Sequence, residues 1–379
     1  MTYKAFQDFY KELSIKHLLL SEYQDVLVSP PFATEKCKDY NKIAVFDKKV
    51  YYIDTDLPAA TSKTNAIANV NNSLWMVPYG IWDEYNVVLE LKDFKPEYHH
   101  LDKKGKGQFY SIASNGDSAC SFPLGYHGTQ FLIYIDSNGV HTKDFITEHT
   151  KCHMGTVYCN GKYWSMPRGD TPNYQSLVSY DGQELKEYFV PALSNITRKF
   201  TDIVTVGNTL YSMPFGETKG LNSIIEFNTK SGEFFLHDIG VPDFAKKYNA
   251  QVLVDDVIIG LPYGDEHHTD SNYGVIFNTI TKHSQSFKIN EKFGGKYRYR
   301  SGIAFEGSAI FLPSGTPSCP IYKVNQDGQI TSKHYPNLLF GRPTLFNNKL
   351  FTIVYNLNSN RSFIVNINNN LDIQEVADL

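Results

Sequence analysis

The chain repeats one short phrase six times in 379 residues, an apolar run closing on Pro-x-Gly. The phrases are Val77-Pro78-Tyr79-Gly80, Phe122-Pro123-Leu124-Gly125, Met166-Pro167-Arg168-Gly169, Met213-Pro214-Phe215-Gly216, Leu261-Pro262-Tyr263-Gly264 and Leu312-Pro313-Ser314-Gly315. Their prolines step by 45, 44, 47, 48 and 51 residues, and an apolar run at 350–355 continues the series without Pro or Gly. Self-similarity at this period marks an array of units that bury their apolar faces only against one another.

One unit shows the plan. Residues 202–206 are β-prone, Gly207-Asn208 is a turn signal, and 209–213 form a second apolar run stopped by Pro214-Phe215-Gly216. Residues 223–228 and 233–238 read as a third and a fourth strand. Turn signals recur before the second strand elsewhere, as Asn71-Asn72, Asn160-Gly161, Asp255-Asp256 and Asn347-Asn348. Proline has no N–H, so it marks where the chain leaves the ladder. The glycine two residues on permits a positive-φ turn. The phrase is therefore a strand terminator.

Four short strands per unit predict an all-β, seven-bladed β-propeller, with six or eight blades left open by an unassigned strand pair at 42–54. That pair is expected to complete the last blade and remove an exposed edge. On this reading residues 42–379 are the propeller and 1–41 an N-terminal helix and linker. Phe6, Phe9, Tyr10, Leu13, His17 and Leu20 predict an amphipathic helix over about 3–22, capped by Thr2, packed on the ring or docked to a partner. The units resemble kelch-like β-propeller repeats, on Trp75-Met76-Val77-Pro78-Tyr79-Gly80, on 257–264 and on Leu132-Ile133-Tyr134-Ile135-Asp136. The resemblance covers roughly residues 60–379 and implies fold rather than activity.

A net charge of -4 offers no basic footprint, so nucleic acid is not an expected partner. No apolar run approaches a membrane span, and the N-terminus lacks the basic head and apolar core of a secretory signal. Five cysteines, odd in number and unevenly spaced, argue against a disulfide framework and for a reducing compartment. The protein is expected in the cytoplasm or on a virion.

The loop after the second strand of each blade should reach one common face. Loops on a rigid scaffold concentrate function. The candidate binding residues there are Tyr79, Trp82, Asp83, His127, Arg168, Asp170, Glu217, Tyr263, Asp265 and His267. The aromatics can anchor a partner or pack between blades. Asp265-Glu266-His267-His268 offers metal-ligand types, but an extended loop turns alternate side chains apart, so no metal or cofactor is expected. Arg168-Gly169-Asp170 spells an adhesion tripeptide but overlaps the repeat's own phrase. There is no phosphate-cradling Gly-rich loop and no nucleophile elbow. The expected function is a non-enzymatic scaffold that binds a protein partner through this face. A viral or phage structural or receptor-binding component is one alternative. A glycan-active lyase or hydrolase at the channel mouth, using Asp83, His127, Arg168, Asp265 and His267, is another.

Overall fold

The computed structural model describes residues 13–80, 85–103, 109–124, 130–145, 153–169, 174–216, 220–263, 272–289, 298–314 and 319–379. They form eight antiparallel sheets, each built from one contiguous stretch: 21–54, 64–100, 113–144, 157–189, 204–238, 248–288, 299–333 and 338–378. We call these blades 1 to 8. Seven have four strands and the last has five. From blade 2 to blade 7 the first strands of successive blades touch one another, so they line the central channel. In blade 8 that place belongs to Thr344–Phe346.

The expected turns are present. Asn71 and Asn72 have φ of 48° and 62°, Asn160 and Gly161 50° and 76°, and Asn347 and Asn348 49° and 57°. Positive φ at both central residues twists a two-residue hairpin to match its strands. The corner glycines do what their position requires: Gly80, Gly169 and Gly216 have φ of 51°, 61° and 61°.

The blade count differs from the expected seven. Blade 1 has the same corner in altered spelling, Ser29-Pro30-Pro31-Phe32-Ala33 beside Ser212-Met213-Pro214-Phe215-Gly216. Ala33 takes φ 57° where Gly216 takes 61°. The pair Lys42–Asp47 and Lys49–Asp54 forms the outer half of this blade and does not complete the last one. All described strands of blade 8 come from 338–378. The ring shuts instead by packing. Leu20 and Leu27 of the N-terminal side meet Phe351, Ile353 and Ile364, with the Phe46 ring 6.5 Å from Phe351. Leu19 bridges Arg342 in parallel, and the Arg342 amide donates to Leu18 O at 3.2 Å.

The N-terminal helix is also corrected. Residues 1–12 lie outside the described residues, and from Leu13 the chain runs extended into the strand Ser21–Tyr23. Leu13, Ile15, His17 and Leu19 are buried while Ser14, Lys16 and Leu18 are half-exposed, the period-two alternation of extended chain. The described residues contain no α-helix, only the 3-10 turns Glu35–Cys37 and Pro191–Leu193. Cys37, Cys120 and Cys159 are free thiols.

Each neighbouring pair of blades owns an apolar core. Tyr248–Val254 and its sheet pack on blade 7 through Val252, Ile259, Phe311 and Tyr322, for example, and blades 4 and 5 meet through Trp164, Leu177, Leu210 and Phe227. A propeller of this kind has no single centre to its core; it has a ring of interfaces.

The corners join these interfaces through the backbone. In blades 1, 2, 5, 6 and 7 the residue after the corner Pro donates its N–H to the carbonyl fifteen residues before that Pro: Phe32 to Lys16, Tyr79 to Lys63, Phe215 to Lys199, Tyr263 to Lys247 and Ser314 to Arg298, at 2.8, 2.9, 2.8, 2.7 and 3.1 Å. Its own carbonyl then accepts from the next blade, as in Lys63 N to Phe32 O (2.8 Å), Lys199 N to Arg168 O (2.6 Å), Lys247 N to Phe215 O (2.8 Å) and Arg298 N to Tyr263 O (3.1 Å). The links run unbroken from Arg168 to Ser314.

Left-handed backbone costs a side-chain-bearing residue roughly 1–2 kcal/mol, so Gly216→Ala is expected to lower stability by about that amount in urea unfolding. Ala33→Gly, at the matching corner, is expected to leave stability unchanged or raise it. A large loss on Ala33→Gly would mean that the two corners are not equivalent.

Candidate functional site

The corner residues are committed to the ring. Tyr79, Arg168 and Tyr263 each follow a corner Pro and are 8%, 7% and 6% exposed. The Tyr79 ring packs on Tyr110 at 5.9 Å and beside Leu124 and Met154. Tyr263 packs on Phe215 at 5.6 Å. The Arg168 and Tyr263 carbonyls carry inter-blade bonds and the Tyr79 amide bonds to Lys63 O, so these three act as interior corner residues. Trp82, Asp83, His127, Asp170, Glu217, Asp265 and His267 lie outside the described residues. Their described flanks, such as Gly80, Gly169 and Gly216, stand at the corner rim.

Behind the rim is a feature that sequence reading missed. The residue fifteen before the corner Pro is basic in five of seven blades: Lys16, Lys63, Lys199, Lys247 and Arg298. Lys63, Lys199 and Lys247 are fully buried and Arg298 is 1% exposed. Two of these side chains reach back to the preceding blade, and that of Lys247 to the link just before its own. Lys63 Nζ donates to Tyr40 O at 2.9 Å and to Asn41 Oδ1. Lys247 Nζ meets Asp243 Oδ1 at 2.9 Å and Phe244 O. Arg298 Nη1 donates to Asn272 Oδ1 at 3.2 Å. Asn41 and Asn272 both directly precede a third strand, so the acceptor is as periodic as the donor. Lys199 Nζ has no hydrogen-bond partner among the described residues. Burial pulls the Lys63 and Lys199 amines down to about 8. Two histidines one residue along repeat a second device. His17 Nδ1 pairs with Pro30 O at 3.1 Å and its Nε2 with Tyr40 Oη at 2.8 Å; His153 does the same with Met166 O and Tyr174 Oη, again at 3.1 and 2.8 Å. Burial lowers His17 to about 4, so this imidazole is neutral and structural.

The chemistry on offer lies in the channel, at the corner ends of the innermost strands. Tyr110 precedes Ala113–Ser114, Asp202 precedes Val204–Val206, Arg300 is second in Tyr299–Phe305, and Arg342 precedes Thr344–Phe346. The ladder shifts register between Tyr299 and Ser301, which makes Arg300 the bulge residue. A bulge re-aims a side chain in this way. The Arg342 guanidinium lies 4.7 Å from the Tyr110 ring centre. Burial would raise the Tyr110 phenol, but the charges of Arg342 and Arg300 and a hydrogen bond from Arg342 together bring it below its ordinary value. Burial raises the Asp202 carboxyl to about 6, against the opposing pull of the Ile203 amide (2.9 Å) and of Arg342. Four side chains from blades 3, 5, 7 and 8 thus share one electrostatic environment.

A grouping of Glu90, Glu97 and His99 brings three potential metal-ligand atoms within 4.8 Å of one another. It sits on the two outer strands of blade 2, where His99 Nε2 already meets Glu90 Oε2 at 3.1 Å. It belongs to neither the corners nor the channel cluster.

No protein-family model and no curated protein matches the sequence. Solved structures do. A virginiamycin B lyase from Staphylococcus aureus crystallised with quinupristin is 16% identical, with 77% of this chain and 92% of that one covered and a TM-score of 0.56. BamB from Moraxella catarrhalis is 10% identical over 90% and 92% of the two chains, with a TM-score of 0.56. The RRP9 WD40 repeats are 8% identical over 79% and 88%, with a TM-score of 0.50. The likeness is one of fold, and the fold is a β-propeller. No helix of the described residues is long and apolar enough to cross a membrane.

Lys63→Met strands Tyr40 O and Asn41 Oδ1 without their donor and is expected to cost about 1–3 kcal/mol in urea unfolding. Lys199→Met removes an unpartnered amine and is expected to be neutral or stabilising. Folded Lys199 sheds its proton near 8 and the unfolded chain near 10.5, so wild-type stability should rise with pH across that window, and less so in Lys199→Met. Equal losses in both variants would contradict the difference in partners.

Asp202 titrates the other way. The folded form holds its proton up to about 6 and the unfolded form only to about 3.8, so stability is lost as pH rises through that interval. Asp202→Asn should lack this loss, a difference on the order of 2 kcal/mol between pH 4 and 7. Parallel stability–pH curves for the two proteins would place Asp202 in water rather than in the cluster.

Proposed function

We propose that the chain is a non-catalytic β-propeller that binds a protein partner on its corner face, through the loops that follow the corner phrases. The observation that carries this reading is the contrast between corner and loop. The corner backbone repeats the same bonds in blade after blade, while the sequences that follow have nothing in common. They include Trp82-Asp83-Glu84, Tyr126-His127, Asp170-Thr171 and Asp265-Glu266-His267. A uniform rim carrying unlike loops is the arrangement of a recognition surface on a rigid scaffold. Trp82 supplies the aromatic anchor that such surfaces favour. The burial of Tyr79, Arg168 and Tyr263 moves the binding role onto the loops. The kelch-like assignment rests on the corner phrases alone.

A second reading has one observation in its favour. A channel carboxyl with a pKa of about 6, beside a tyrosine and two guanidinium groups, has the protonation behaviour of a general base. Turnover of an oligosaccharide by the wild type, abolished in Asp202→Asn, would establish the lyase or hydrolase alternative.

The binding reading is tested by affinity capture from the native cell with mass spectrometry. Wild type and a Trp82→Ala, Asp83→Ala, Glu217→Ala variant are compared at equal melting temperature. One protein enriched by the wild type is expected to fall at least tenfold with the variant. Undiminished capture would remove the corner loops from recognition.

A further inference from the structure

We propose that Glu90, Glu97 and His99 form a binding site for one divalent transition cation of the zinc class, on the outer half of blade 2 where it faces blade 3. Glu90 stands in Val87–Lys92 and the other two in Lys95–His100. Glu90 and Glu97 are directly opposite in the ladder, and His99 is two residues beyond Glu97, so all three share one face. Val88, on that face, packs with Phe131, Ile133 and Ile135 of blade 3. Like charges directly opposite one another destabilise a sheet. Here one of the two carboxylates belongs to a residue that is only 8% exposed. Lys92 and Lys95 stand one pair further out on the same face. Among the described residues, however, neither carboxylate pairs with a lysine or arginine. Glu90 pairs with His99, Oε2 to Nε2 at 3.1 Å.

Blade 5 repeats this arrangement with a cation in place. Tyr211, Glu226 and His237 occupy the ladder positions of Trp75, Glu90 and His99. His237 Nε2 meets Glu226 Oε2 at 2.7 Å, as His99 meets Glu90. The other oxygen, Glu226 Oε1, takes the Lys282 ammonium at 2.7 Å. Lys282 reaches over from blade 6, from the turn between Tyr273–Asn278 and Ser284–Lys288. Blade 2 differs at two points. The matching turn of blade 3 is Ser137-Asn138, which has no ammonium to offer. Opposite the buried glutamate, Phe235 of blade 5 is replaced by Glu97. Blade 2 thus lacks the lysine of the repeat and gains a second carboxylate, and both changes call for a cation. The three ligand atoms lie within 4.8 Å of one another. Ligand atoms around zinc stand roughly 3.5 Å apart, so the Glu90–His99 pair is close to that spacing and the exposed Glu97 has only about 1 Å to swing. An imidazole beside two carboxylates favours zinc over magnesium and calcium, which prefer oxygen ligands throughout. Three protein ligands leave a fourth position for water.

Isothermal titration of the chelator-treated full chain tests the site, with zinc chloride as the probe and magnesium and calcium chloride for comparison. The wild type is expected to bind zinc at least tenfold more tightly than either of the others. Glu97→Gln and His99→Gln are each expected to lose one zinc ion per chain, or to bind it at least tenfold more weakly. Zinc should also raise the melting temperature of the wild type and leave that of Glu97→Gln unmoved, because a ligand of the folded state alone stabilises it. His141→Gln is the control. His141 Nε2 meets Asp136 Oδ1 at 3.0 Å on blade 3, without a third ligand among the described residues, and this variant is expected to bind zinc as the wild type does. If His99→Gln does not fold, Glu97→Gln decides, since Glu97 is exposed and its substitution leaves the core untouched. The proposal is overturned if the wild type takes up no zinc, or if Glu97→Gln keeps wild-type affinity and stoichiometry. Equal weakening by His141→Gln overturns it too, and so does magnesium binding as tight as that of zinc. The site does not depend on the corner loops: loss of partner capture with zinc binding intact would defeat the corner-face reading and leave this site standing.

Discussion

The structure depends on a chain of backbone hydrogen bonds that passes from blade to blade through the corners. In blades 1, 5 and 6 the residue after the corner Pro gives its N–H to its own blade and its carbonyl to the next. A single such bond contributes only about 1 kcal/mol net. Its value lies in geometry. The corner must present N–H and C=O in opposite directions at one height, and a terminating Pro followed by a left-handed residue does this. The bond fixes where each innermost strand begins, and so which residues reach the channel. It also holds the lysine or arginine backbone at the depth where its side chain can reach the preceding blade.

Burying several cations in one ring is costly unless each is answered. Lys63 and Arg298 are answered by a carbonyl and Asn side chains of the blade before, and Lys247 by Asp243 and the Phe244 carbonyl of the link between blades 5 and 6. These contacts reinforce the same interfaces that the apolar clusters fill. Closure between blades 8 and 1 uses apolar packing, a bridging peptide at Leu19 and Arg342, and the Ser14 amide donating to the Tyr355 hydroxyl at 3.4 Å. Closing the ring in this way covers the facing sides of blades 8 and 1, the hazard that repeat arrays must manage.

The period, the Pro-x-Gly corners and the two-residue turns are legible in the sequence because each demands a residue type that few others can replace. Blade 1 is harder to see for the same reason. Ala33 takes a backbone conformation that normally selects glycine, so the phrase loses its signature while keeping its shape. The N-terminal stretch carries two periods at once. Leu13, His17 and Leu20 fit a helix, but Leu13, Ile15, His17 and Leu19 fit extended chain, and burial between blades decides for the second. The loop residues were named from topology; the channel residues were not. Tyr110 and Arg300 both stand thirteen residues before a corner Pro and Asp202 twelve, while Arg342 belongs to a blade without the phrase. No column of the repeat contains all four. The basic ring was open to discovery, since Lys16, Lys63, Lys199, Lys247 and Arg298 all stand fifteen residues before a corner Pro. Reading the repeat as a column, with Pro31 included, exposes it.

The most direct measurement is native-state hydrogen exchange at the corner amides, those of Lys63, Tyr79, Lys199, Phe215, Lys247 and Tyr263. If the corners tie the blades into one cooperative ring, these amides should all exchange through the same global opening, with a common free energy and a common denaturant dependence. Blade-by-blade opening, with each corner exchanging at its own free energy, would show that the links merely accompany the fold and do not hold it together.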